Sequence, residues 1–285
     1  MNFKFTVNKW SNFYFFVQNL SEWHFSCRKN YNIFWQQQFG KLTTKEKKAL
    51  ENFNKIRLRY DQGKTCFEKS FFTKKNPWRS LSLTLTSKEY KVIYNIFSLF
   101  QNRFEKLYKE ESPLLKKWKI LLSKKANDQT LGKKITKILD ILYGTNINKK
   151  KLVVNIYLLL SSPNAMGGGA NIDKESISLE ISRYLAEKSN YVLSVIWHEI
   201  IHLAFEKEYF FQILKTQFPN DRESLNLIKE TTARALFPRG ILAKKFLQIN
   251  DDKRVLLHPK ISSLHTKQII NLIESYIQKK EGFRR

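Results

Sequence analysis

The chain has 285 residues, 42% hydrophobic and 14% aromatic, enough to bury a sizeable core and unlike a disordered segment. No run of 18 or more residues is continuously apolar, which argues against a transmembrane helix. The net charge of +26 suits nucleic acid or anionic lipid, but the lysines are dispersed as pairs and triplets without a nucleic-acid motif, so a solvated basic surface is favoured and a nucleic-acid partner is the minor reading.

The aromatic N-terminus, MNFKFTVNKW, has no clean apolar stretch and no small-residue cleavage site, and is expected to be part of the fold. Residues 1–145 read mostly as helix. Thr43 to Glu46 is a capping-box pattern, followed by Leu50, Phe53 and Ile56 at helical spacing. Leu81, Leu83 and Leu85 alternate, which predicts a short strand. A second capping box, Thr86 to Glu89, opens a long amphipathic helix with Ile93, Ile96, Phe97, Phe100, Phe104 and Leu107 on one side. Pro113 reads as the start of another helix, and Leu131 to Tyr143 as a third that Gly144 ends. Cys27 and Cys66 have no metal-ligand spacing and read as free thiols in a reducing, cytoplasmic setting.

The pattern changes near residue 145. Leu152 to Leu160 is β-branched and apolar, as in a buried strand, and Ser162-Pro163-Asn164 and Gly167-Gly168-Gly169 interrupt it. Ile177, Leu179 and Ile181 alternate with polar residues, as in a half-buried strand. Ser189 can cap the next helix. A turn at Phe218-Pro219-Asn220 leads to a helix over Asp221 to Phe237, and Leu264, Leu272, Ile273, Tyr276 and Ile277 predict a final amphipathic helix. The expected fold is α+β and mostly helical, with a helical region at 1–145 and a small sheet beside a metal-binding helix at 146–285.

That helix carries the strongest signal, His198-Glu199-Ile200-Ile201-His202. Residues four apart on a helix sit one turn apart on nearly the same face, so both imidazoles can converge on one cation. Glu199 projects at another angle, from which it reaches a water in an open coordination position. Every residue from 195 to 204 outside these three is uncharged, although 27% of the chain is charged, so the motif belongs to a buried helix.

The segment resembles the zincin metallopeptidases, whose signature is HExxH in an uncharged frame, and the likeness covers about residues 150 to 240. It implies a zinc-dependent peptidase with a peptide or protein substrate, His198 and His202 as zinc ligands and Glu199 as general base. The metzincin branch would require glycine at 205 and histidine at 208, where this chain has Phe205 and Glu208. The gluzincin pattern, with its glutamate on a downstream helix, implies Glu230 as third ligand; its side of the helix, shared with Leu227, Ala233 and Phe237, is otherwise apolar. Glu223, Asp221, Glu206, His258 and His265 remain as alternatives. In zincins the strand before the metal helix pairs with substrate, which points to Ser176 to Ser182, with the glycines before it as either a hairpin turn or part of that surface. His258, His265 or a tyrosine are candidates for steadying an oxyanion. The competing functions are a zincin-fold binding protein without activity and a basic nucleic-acid-associated protein.

Overall fold

Alternation makes the first element: Phe3 and Phe5 face inward from β1 (Asn2–Thr6), while Asn2 and Lys4 stay exposed. The N-terminus is thus built into the fold. The computed structural model describes residues 1–22, 27–60, 66–162, 167–171, 176–181, 189–206, 209–217, 219–249 and scattered positions between 268 and 279. After β1 come α1 (Lys9–Leu20), α2 (Lys29–Phe39), α3 (Thr44–Tyr60), α4 (Cys66–Thr73), α5 (Pro77–Ser82), α6 (Ser87–Ala126) and α7 (Gln129–Tyr143). Strands β2 (Val153–Leu160), β3 (Gly167–Asn171) and β4 (Ser176–Ile181) follow. Then come α8 (Ser189–Ile200), a π-helical turn (Ile201–Phe205), α9 (Tyr209–Gln217), α10 (Arg222–Leu236) and α11 (Ile241–Leu247). The chain is mostly helical with one small mixed sheet, an α+β architecture. Among the described residues no helix is long and apolar enough to cross a membrane.

Local chemistry accounts for several boundaries. Thr43 and Glu46 exchange backbone and side-chain hydrogen bonds at the start of α3, and Thr86 with Glu89 does the same for α6. Gly144, in the left-handed region at φ 65°, ends α7. Cys27 and Cys66 are half-buried and form no disulfide.

Three expectations are corrected. Leu81 to Leu85 is not a strand: the Asn76 side chain caps a helix that begins at Pro77, and Leu81 lies inside it. Pro113 does not start a helix but sits within α6, which runs unbroken for 40 residues. Proline removes one backbone bond there, and burial of Leu107 before it and Leu115 and Trp118 after it outweighs that loss. Gly167 to Gly169 is neither a turn nor a break but strand β3. The final amphipathic helix over 264–277 falls largely outside the described residues.

The sheet order is β1-β2-β4-β3, with β1–β2 and β2–β4 parallel and β3 antiparallel to β4. β4, expected to be the substrate-pairing strand, is therefore interior, and β3 and β1 are the edges among the described strands. β2 is covered on both faces, which is why it reads as an apolar run. Val154, Ile156 and Leu158 join a core with the second half of α6, α7, α8, α10 and α11; Tyr157, Leu159 and Leu160 join a core with α1–α5 and the first half of α6. β1 and α8 meet directly, since the Phe3 and Trp197 rings pack edge to face at 5.8 Å.

Candidate metal centre

The frame of α8 is buried almost throughout, from Val192 to Ile200, so His198 and Glu199 are each 8% exposed. At Ile201 the helix widens to π geometry, closed by the Glu206 N–H on the Ile201 carbonyl at 3.1 Å, a feature frequent at functional sites. His202 lies in this turn. Its Nε2 is 3.2 Å from Nε2 of His198. Glu230, arriving on α10, places Oε1 3.3 Å from Nε2 of His202 and Oε2 3.8 Å from Nε2 of His198. Among the described residues, these three form the group of donors that comes together closely enough to hold a metal ion.

The spacing fits such an ion. Donors at 2.0–2.1 Å from a tetrahedral zinc are about 3.3–3.4 Å apart; the 3.2 Å between the two imidazoles and the 3.3 Å from His202 to Glu230 Oε1 are close to that value, while His198 is 3.8 Å from the other oxygen, Oε2. Both outer ring nitrogens are occupied. His198 Nδ1 lies 3.0 Å from the carbonyl of Phe237, which can only accept, so this nitrogen carries the proton and Nε2 offers its lone pair. The Phe237 carbonyl is held by its surroundings: Ser194 Oγ donates to the next carbonyl, of Pro238, and the Phe237 ring stacks on Trp197. His202 Nδ1 donates to Glu206 Oε2 at 2.9 Å, and Lys229 Nζ approaches the same oxygen at 3.1 Å. Arg234 Nε donates to Glu230 Oε2 at 3.2 Å.

These contacts set the charges of the metal-free cluster. Burial, reinforced by the neighbouring His202, depresses His198 to about 4. Burial also works against a charged His202, but the Glu206 and Glu230 carboxylates overcome it and raise His202 to about 10. Burial works against the Glu230 carboxylate, but its hydrogen bond to His202 together with the charges of His202, His198 and Arg234 holds it down at about 2. Glu199 behaves differently. Burial pushes its carboxyl up to about 7, against the pull of His202 and of the Ala170 N–H, which donates to it. Its side chain packs under the edge strand: a Cβ at Gly168 would lie 3.0 Å from both Cγ and Oε1 of Glu199.

Of the sequence candidates, the structure brings together His198, His202 and Glu230, with Glu199 beside them. Glu206 takes an outer position against His202. Glu223 and Asp221 sit at the exposed start of α10, Asp221 capping it through the Ser224 N–H. His258 and His265 lie outside the described residues. Sequence reasoning missed the Phe237 carbonyl, Lys229, Arg234 and the contacts of β3 with Glu199. A third of the chain's nine glycines stand together at 167–169, and that clustering was the available signal for the last of these. Compared with family models, curated proteins and solved structures, the chain matches none.

Proposed function

We propose that the chain is a zinc-dependent peptidase of the zincin type, acting inside the cell on peptides or proteins, with His198, His202 and Glu230 as ligands and Glu199 as general base. The observation that carries this reading is the convergence of two imidazole Nε2 atoms and one carboxylate beside a separate buried carboxylate. A zinc ion so held would supply Lewis acidity and a nucleophile effective at neutral pH. Glu199, buried beside the three donors, stands where it can serve both halves of a proton relay, accepting a proton from the attacking water and returning it to the leaving amine. The Ala170 N–H and the packing against Gly168 hold that carboxylate beside the edge strand. Among the described strands β3 is an edge, so a peptide pairing with it would pass the general base.

The test is Glu199→Gln in the zinc-loaded protein. Glutamine keeps the size of the side chain but cannot take the proton, so peptide hydrolysis should fall by about 10²- to 10⁴-fold with metal content unchanged. Hydrolysis undiminished in this variant would remove Glu199 from the mechanism.

A further inference from the structure

Glu199 lies against one face of the edge strand, and a second buried carboxylate lies against the other. Gly167 pairs with Glu180 of β4, and a Cβ at Gly167 would meet Glu180 Oε2 at 2.4 Å and Arg28 Nη2 at 3.0 Å. Tyr31 Oη, almost fully buried, donates to Glu180 Oε2 at 2.6 Å, and Arg28 Nε lies 3.7 Å from the same oxygen. The backbone of Arg28 is clamped as well. Its N–H donates to Asn19 Oδ1 at 2.7 Å, and Asn19 Nδ2 donates to its carbonyl at 3.0 Å. The side chain thus leaves a fixed backbone and is drawn toward Glu180 by an ion pair, yet it remains 46% exposed beside the strand edge, while its partner Glu180 is only 12% exposed. A group approaching this edge from solvent meets the guanidinium, not the carboxylate.

We infer that Arg28 is a specificity-determining residue that selects substrates with an acidic side chain next to the scissile bond; this rests on the peptidase reading above. A peptide paired with β3 lies about 4.8 Å from it and advances about 3.3 Å per residue, with side chains on alternate faces. The residue opposite Gly168 shares the Glu199 face. Its neighbour opposite Gly167 shares the Arg28 face, where five fixed N–H donors suit a carboxylate. The net charge of +26 draws acidic peptides in the same direction, but a general field cannot distinguish one position from another.

The experiment uses the full zinc-loaded chain and a peptide that it cleaves. The residues flanking the scissile bond are varied singly as Glu, Gln and Lys, and a control peptide carries the glutamate several residues away. At one flanking position kcat/KM should be about tenfold higher for Glu than for Gln, the worth of one partly exposed charge-assisted hydrogen bond. The control should show little gain. Arg28→Gln should erase the preference, and Arg28→Glu should turn it toward Lys. Equal rates for Glu and Gln in the unaltered protein, a comparison that needs no variant to fold, would overturn the inference alone, as would a preference that survives Arg28→Gln. Cleavage of no peptide in a diverse library would remove the peptidase reading and this inference with it.

Discussion

Gly168 and Gly169 are adjacent in β3, yet alanine should act oppositely at the two. A Cβ on Gly168 would sit 3.0 Å from Glu199 Cγ, 3.0 Å from Glu199 Oε1 and 3.1 Å from Val195 Cγ1, each a few tenths of an ångström inside ordinary contact. Glu199 and Val195 lie on a buried helix, so neither retreats freely. One methyl forced into a filled site costs about 1–3 kcal/mol. The restricted unfolded chain returns about 0.4–1 kcal/mol. The net for Gly168→Ala is then a loss of about 1 kcal/mol. At Gly169 nothing lies within 4 Å of the added carbon, so Gly169→Ala keeps only the gain. The shared gain cancels, so the two variants should differ by about 2 kcal/mol, or about 4–8 °C in Tm for a chain of this size. Thermal unfolding at matched zinc content measures this. If Glu199 is the general base proposed above, peptide hydrolysis should also fall about tenfold in Gly168→Ala, because that carboxylate is displaced, while zinc affinity holds. Equal stability and equal rates for the two variants would refute the packing of Glu199 under this strand.

Other expectations concern the donors and the second glutamate. Purified protein should carry about one zinc per chain. Glu230→Ala should weaken zinc binding sharply in a chelator competition, while Glu223→Ala stays near normal; the reverse result would misassign the third ligand. Glu206→Gln should lower zinc affinity about 10- to 100-fold through loss of the carboxylate on His202 Nδ1, and an unchanged affinity would make that contact incidental. Burial holds the Glu180 carboxyl above its ordinary 4.5, against Tyr31 and Arg28, so its charged form is the costly one in the fold. The stability tied to its proton is complete below the unfolded pKa and is lost as pH rises through the folded one. Glu180→Gln should therefore raise Tm at pH 7 and not at pH 4; a gain equal at both would assign the effect to something other than charge.

Much of the site could be read because its signal is local. His198 and His202 are one turn apart, and the uncharged frame around them marks a buried helix. Glu230 stood out as a carboxylate on the apolar side of its own helix. What escaped depends on partners distant in sequence. Three successive glycines resemble a turn, and only the two glutamates closing on β3 from opposite faces explain why side chains are absent at Gly167 and Gly168. Ser178 and Glu180 alternate with apolar neighbours as on a solvated strand, but the helix carrying Tyr31 covers that face and buries Glu180. Glu206 was visible as a candidate donor. Its role follows from the π turn, which sets it against the outer nitrogen of His202. The Leu81–Leu85 alternation lost to Asn76 and Pro77, two boundary residues that commit the segment to helix.

The pairing of Asn2 with Val153 also has a consequence for biosynthesis. Strand β1 must wait for a partner made about 150 residues later, which at roughly 5–20 residues per second takes about 8–30 s. During that interval Phe3 and Phe5 have neither β2 nor α8 to cover them. Helices α1 to α5 and the first half of α6 can pack on one another before β2 is made, whereas the sheet and the turn bearing the two histidines cannot close until the later segments are made. Strand β1 is thus made well before these partners and is among the last of the described segments to be protected.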